Sequence, residues 1–317
     1  MATTLKTCRG KAVFPFMKLK WPFIIISLFF MVASLQQILV KGFNFGVDFK
    51  GGSKLIYGFD KNIGSQQIRD VTESLDLGDV QVIEFGVSTA EPQYMLRAKY
   101  VDGKDVPKLI DAALVEKFGA DKIHKLSEES VGPKVGQDLQ KKAILSMVFT
   151  CVLILIYVGF RFDFLFAPGG VIALIHDVLI SAGFFAYMGK EFNLPILAAL
   201  LTILGYSIND TVVIYDRIRD NIASLPKRTP LEDIIDVSLT ETLSRTIVTS
   251  LTVLMVVSVL FYLGGGVIHD FAFCMIIGVI FGSYSSLFIA SPVYVWLHKF
   301  FPHYGIKVSE PDQVKAA

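Results

Sequence analysis

Residues 194–215 read LPILAALLTILGYSINDTVVIY, with one acid, Asp210, and no base. As a helix this run is about 33 Å long, enough to cross a hydrocarbon core of about 30 Å. Five other apolar runs have comparable reach, at 22–40, 143–160, 169–189, 247–263 and 271–297. Pro22, Pro168 and Pro195 stand at or beside the start of a run, where a missing N–H costs little. Of 317 residues, 53% are hydrophobic and only 19% charged, with a formal net charge of +1. That balance excludes a disordered chain and an ordinary soluble enzyme, and it argues against a nucleic-acid binder. Cys8, Cys151 and Cys274 stand far apart, so neither a disulfide framework nor a zinc site is expected. The expected class is an α-helical membrane protein with six transmembrane helices.

Sidedness follows from the short loops. Lys6, Arg9, Lys11, Lys18 and Lys20 precede the first run with no acid among them. Val32-Ala33-Ser34 passes as a weak signal-peptide cleavage site, but the run continues through Ile38-Leu39-Val40, which favours an uncleaved anchor. Arg161, Arg217, Arg219, Lys227, Arg228, Arg245, Lys299 and Lys307 fall on the same side, whereas the opposite short connections hold Lys190 alone. Both termini are therefore expected in the cytoplasm. The resulting division is a cytoplasmic leader 1–21, a first helix 22–40, an exported domain 41–138, helices two to six over 139–297 with a cytoplasmic loop 216–245, and a cytoplasmic tail 298–317.

The exported segment changes its apolar period in a readable order. Strand spacing at 51–59 is followed by helical spacing at 65–77, strands at 80–87 and 93–101, a helix at 105–118 and a strand at 123–130. The order β-α-β-β-α-β predicts a ferredoxin-like α+β domain. His124 is alone there, so no metal or catalytic cluster is expected. Gly132, Pro133 and Gly136, together with 41–48, read as the short links on which this domain would swing.

Ionisable residues inside spans are costly, and each is a candidate site. Tyr206, Asp210, Val213 and Arg217 share one helical face, with Asn209 beside Asp210. Ser238, Thr242, Arg245, Thr249 and Thr252 form a polar stripe into and along the fifth span. Asp210 lies 16 residues past Leu194, about 24 Å, and Arg245 lies 18 residues before Leu263, about 27 Å. An ion pair at similar depth is geometrically plausible. Arginine stays protonated, so Asp210 is the group able to titrate. Two readings stand: a proton carrier tuned by Arg245, or a static pair holding helices together. His176 and Asp177 are adjacent, hence about 100° apart on a helix, and need not act jointly. An intramembrane aspartyl protease built on Asp177 and Asp210 would need a Gly-x-Gly-Asp motif that is absent, so no enzymatic activity is expected. Gly278 and Gly282, followed by Ser283, Ser285 and Ser286, offer a close helix-packing surface suited to a second bundle.

Several stretches resemble the SecD/SecF family of protein-export membrane proteins, relatives of the RND permeases. They are 45–52 (FGVDFKGG), 130–136 (SVGPKVG), 205–217 ending Tyr215-Asp216-Arg217, and Leu243-Ser244-Arg245-Thr246. Residues 173–177 (ALIHD) and 282–286 (GSYSS) add to the likeness. The resemblance implies half of an RND-type transporter in the bacterial inner membrane, paired with SecD and associated with the SecY-containing channel. It implies no cofactor. It further implies use of the proton-motive force to draw exported, unfolded polypeptide outward after the SecA ATP-driven stage, with Asp210 and Arg245 at the proton-conducting positions. The alternative is a non-energised membrane scaffold that presents its exported domain to the translocase.

Overall fold

The computed structural model describes residues 7–8, 11–60, 63–78, 80–84, 92–162, 164–226, 229–264 and 266–301. Lys6, Arg9, Lys227, Arg228, Lys307, the end of the expected 80–87 strand and the tail beyond 301 lie outside the described residues.

A short ladder of β1 (Thr7–Cys8) and β2 (Lys11–Ala12) precedes the first long helix, α1 (Phe16–Lys41). Next come β3 (Asn44–Phe45), the one-turn α2 (Val47–Lys50), β4 (Gly52–Phe59), α3 (Ser65–Glu73), β5 (Gln81–Glu84), β6 (Gln93–Ala98), α4 (Val106–Phe118) and β7 (Ile123–Val131). The rest is helical: α5 (Pro133–Arg161), α6 (Phe166–Tyr187), α7 (Leu194–Ser224) and α8 (Leu231–Leu263), with a two-residue β8 (Glu191–Phe192) before α7. The last span is α9 (Gly266–Ser285), a π-helical turn at Ser286–Ala290, and α10 (Ser291–Phe300). Pro292 lacks the N–H that a regular ladder needs, and the π turn lies just before it.

The described residues contain six helices long and apolar enough to cross a membrane, as expected. They outlast the apolar runs. α8 starts at Leu231 rather than 247, with Glu232 and Asp233 in its first turn, where acids suit the helix dipole. Pro22 lies inside α1 and not at its start, because the helix begins at Phe16. Apolarity marks the bilayer, not the helix end. α6, α9–α10 and α7 form the centre of the bundle, with 67, 61 and 50% of their apolar windows buried against 11–17% for α1, α5 and α8.

Strand order β5-β6-β4-β7, antiparallel throughout, is the ferredoxin-like arrangement. Leu55, Tyr57 and Phe59 alternate onto the face covered by Ile68 of α3 and by Ile110 and Leu114 of α4. Each such side chain contributes roughly 1.5–3 kcal/mol by leaving water.

This domain is seated on the bundle by packed contacts. Gly51 has φ +78°, and a Cβ there would meet Pro133 Cα at 2.8 Å. A Cβ on Gly136 would meet the Phe49 carbonyl oxygen at 2.9 Å. The Leu194 N–H at the start of α7 donates to Asp48 Oδ2 at 2.8 Å. Arg97 of β6 pairs with the buried Glu191 of β8, and burial raises the Glu191 carboxyl while Arg97 and Lys54 oppose that. The short links expected at Gly132, Pro133 and Gly136 are thus closely packed against the Phe49–Gly51 turn in this structure. Pro133 and Gly136 lie in the first turn of α5, because proline is pre-set for that position and Gly136 permits the close approach of α2.

Candidate functional site: a buried polar centre in the helix bundle

Apolar helices force their few polar groups to find each other, since the hydrocarbon offers no partners. In α6, His176 and Asp177 are both fully buried. Their side chains meet, with His176 Nδ1 and Asp177 Oδ1 at 2.8 Å, although a 100° offset suggests independence. Ser207 of α7 and Ser285 of α9 donate to Asp177 Oδ2 at 2.6 and 2.8 Å. His176 Nε2 lies 3.1 Å from Ser27 Oγ of α1, and Ser27 donates to the Tyr284 hydroxyl at 3.2 Å. Thr211 and Ser286 meet at 2.8 Å. One His–Asp unit thus ties together α1, α6, α7 and α9. Ser27, Ser207 and Ser285 are partners that sequence spacing missed. For Ser27 the available signal was a lone serine in an apolar run, whereas Ser207 and Ser285 stand among other polar residues.

The glycines belong to the same interior. A Cβ on Gly278 would meet Ile203 Cδ1 at 2.2 Å, and one on Gly282 would meet Ser207 Cβ at 3.3 Å. Both let α9 close on α7 of this chain. In this structure the surface they make packs against α7 of the same chain.

Asp210 lies one turn from Ser207 on α7 and is 3% exposed. Thr249 of α8 approaches its Oδ1 at 3.4 Å, and its buried Oδ2 has no hydrogen-bond partner among the described residues. Arg245 is exposed, and among the described residues no ion pair within 4 Å joins it to Asp210. The ion pair that matched depth makes geometrically possible is not closed in this structure. Tyr206 donates to Ser250 at 2.9 Å, and Ser250 meets Ser283 at 2.5 Å. Thr242 instead donates back to Ser238 and Leu239 carbonyls of its own helix. Thr202, Gly205 and Asn209 on α7 and Arg245 and Thr252 on α8 are all exposed, a polar face within apolar spans. Nearer the helix ends, Arg217 donates to Glu241 at 2.6 Å and Asn221 donates to Glu241 and Ser238.

Chemically, a carboxylate oxygen buried without a donor is satisfied by a proton or by an approaching cation. Asp210 is placed for either. Among the described residues no group of three or more His, Cys, Asp or Glu could hold a metal ion.

The pattern described as protein export membrane protein SecD/SecF, C-terminal, matches residues 111–300, and the SecD/SecF GG motif matches residues 38–63. The chain is 40% identical over 296 residues to the protein translocase subunit SecF of Calditerrivibrio nitroreducens, covering 92% of this chain and 96% of that one. It is 44% identical over 287 residues to the subunit of the same name from Magnetococcus marinus, covering 88% and 90%. The crystal structure of SecDF from Thermus thermophilus, a translocon-associated membrane protein, superposes with a TM-score of 0.80 at 32% identity. That match covers 92% of this chain and 40% of the solved one, so this chain spans less than half of that longer protein.

Proposed function

Because this chain belongs to the SecD/SecF family of protein-export membrane proteins, we propose that it is the proton-coupled, six-helix half of a Sec translocation unit. Asp210 takes up and releases protons that move down the proton-motive force, and Arg245 swings toward or away from it to set when it does so. His176 and Asp177 hold the inner helices around that event. The motion passes to the α+β domain through its packed seat on α2, α5 and β8, and the domain acts on unfolded polypeptide leaving the SecY channel after the SecA-driven stage.

The termini then lie in the cytoplasm and residues 41–138 on the exported side of the bacterial inner membrane. SecD supplies the other half of the transporter. It docks on the open polar face of α7 and α8, where Asn209, Arg245 and Thr252 are exposed. A polar stripe of that kind facing lipid is costly, which supports a partner there.

The buried Asp210 Oδ2 without a donor carries this reading. A purely static pair calls for a closed Asp210–Arg245 bond, and the arginine instead stands free of the carboxylate. The test is proton flux. The chain, co-purified with its SecD partner and sealed in vesicles holding a pH-sensitive dye, dissipates an imposed gradient. Asp210→Asn inserts equally and does not. Equal flux in both would return Asp210 to a structural role.

A further inference from the structure

Both tryptophans of the chain, Trp21 and Trp296, line one groove of about 440 Å³ between α1 and α10. They are 65 and 59% exposed. Lys20 and Lys299 line the same groove, and each donates to Glu232 at 3.1 Å. Two ammonium groups on one carboxylate leave a net positive charge at the groove's mouth. From that mouth the lining turns apolar, through Ile24 of α1 and Val293 and Ile289 of the last span. Ile289 belongs to the π turn, so the irregular part of that helix contributes directly to the groove.

The dimensions suit one particular occupant. Lys299 and Ile289 are ten residues apart, about 15 Å along the helix. That is half of a hydrocarbon core of about 30 Å, the depth of one leaflet. Tryptophan sits at the boundary of that leaflet, and lysine favours anionic headgroups there. A partner helix would match the apolar floor but would bring no anion to the two ammonium groups, which share a single carboxylate.

We propose that the α1–α10 groove is a binding site for one anionic glycerophospholipid. Its phosphate rests between Lys20 and Lys299, Trp21 and Trp296 flank the glycerol level, and one acyl chain lies along Ile24, Val293 and Ile289. Glu232 holds the two lysines in place when no lipid is bound and competes with the phosphate for them. The site depends on the membrane-spanning fold and not on proton coupling.

The test uses the full chain in nanodiscs containing equal phosphatidylglycerol and phosphatidylcholine, with retained lipid read by native mass spectrometry after mild detergent release. Phosphatidylglycerol should be retained preferentially. Lys20→Gln with Lys299→Gln should weaken that retention roughly thirty-fold. Val293→Trp should reduce retention of both lipids by filling the groove, and Glu232→Gln should strengthen retention of phosphatidylglycerol by freeing both ammonium groups. A photoreactive residue at position 296 should crosslink to lipid. Equal retention of the two lipids, no response to the paired lysine change, or a crosslink from position 296 to protein in place of lipid would each overturn the site.

Discussion

Asp177→Ala removes the acceptor on which the centre of the bundle converges. Three donors lose it: His176 at 2.8 Å, Ser207 at 2.6 Å and Ser285 at 2.8 Å, all from side chains with essentially no exposure. A buried donor left unsatisfied costs about 1–3 kcal/mol. The three costs are unequal. Ser285 also donates to the Gly282 carbonyl at 3.0 Å, so it falls at the low end; His176 keeps only the Ser27 contact of its other ring nitrogen, and its Nδ1 loses its partner, so it falls in the middle. Ser207 falls at the high end, since the shortest of these bonds is lost and no other acceptor of its hydroxyl is present among the described residues. The total is about 4–6 kcal/mol, against a typical stability of about 5–15 kcal/mol. At the few degrees per kcal/mol usual for large domains, the heating midpoint should fall by about 10 °C. Asp177→Asn keeps one acceptor oxygen and should cost only about 1–2 kcal/mol. The assay is the folded, monodisperse fraction of the full chain by size exclusion across a heating series in detergent. A midpoint for Asp177→Ala within about 2 °C of the unchanged protein would show that the network does not hold the helices together.

Three further substitutions probe how the parts are joined. Gly136→Val drives its side chain into the Phe49 carbonyl, which is backbone and cannot turn aside; a loss of about 1–3 kcal/mol and faster proteolysis between domain and bundle should follow. Asp48→Ala removes the acceptor for the Leu194 N–H and should cost about 0.5–2 kcal/mol, read as increased hydrogen exchange at the start of α7. Gly278→Leu meets Ile203 within the same chain, so it should lower the yield of folded protein even when SecD is absent. An effect confined to SecD recovery would instead place Gly278 at the subunit contact.

The six spans were legible because bilayer thickness imposes a run length that no soluble fold needs. The ferredoxin-like order was legible because period two and period three-to-four alternate cleanly from Leu55 through Ile68 to Ile110. The links were not. Gly132–Gly136 carries the small residues of a loop, yet the same small residues serve close packing, and only the position of Phe49 distinguishes the two. The Arg97–Glu191 pair joins positions 94 residues apart, beyond any local pattern. Asp210 stood out as a lone acid in an apolar run. Its distance from Arg245 did not follow from equal depth, because depth fixes height along the bundle and not rotation about the helix axis. The contact between His176 and Asp177 was not legible for a related reason: the 100° offset ignores side chains that bend toward each other in an apolar interior.

The most direct measurement is export of a stalled precursor into inverted membrane vesicles containing the full complex, with SecA and ATP removed and a proton gradient imposed or collapsed. With the unchanged chain, the gradient should accelerate completion and an uncoupler should abolish the acceleration. With Asp210→Asn, the rate should equal the uncoupled rate whether or not a gradient is present. Completion at the unchanged rate, with the same response to the uncoupler, would contradict a proton-carrying Asp210.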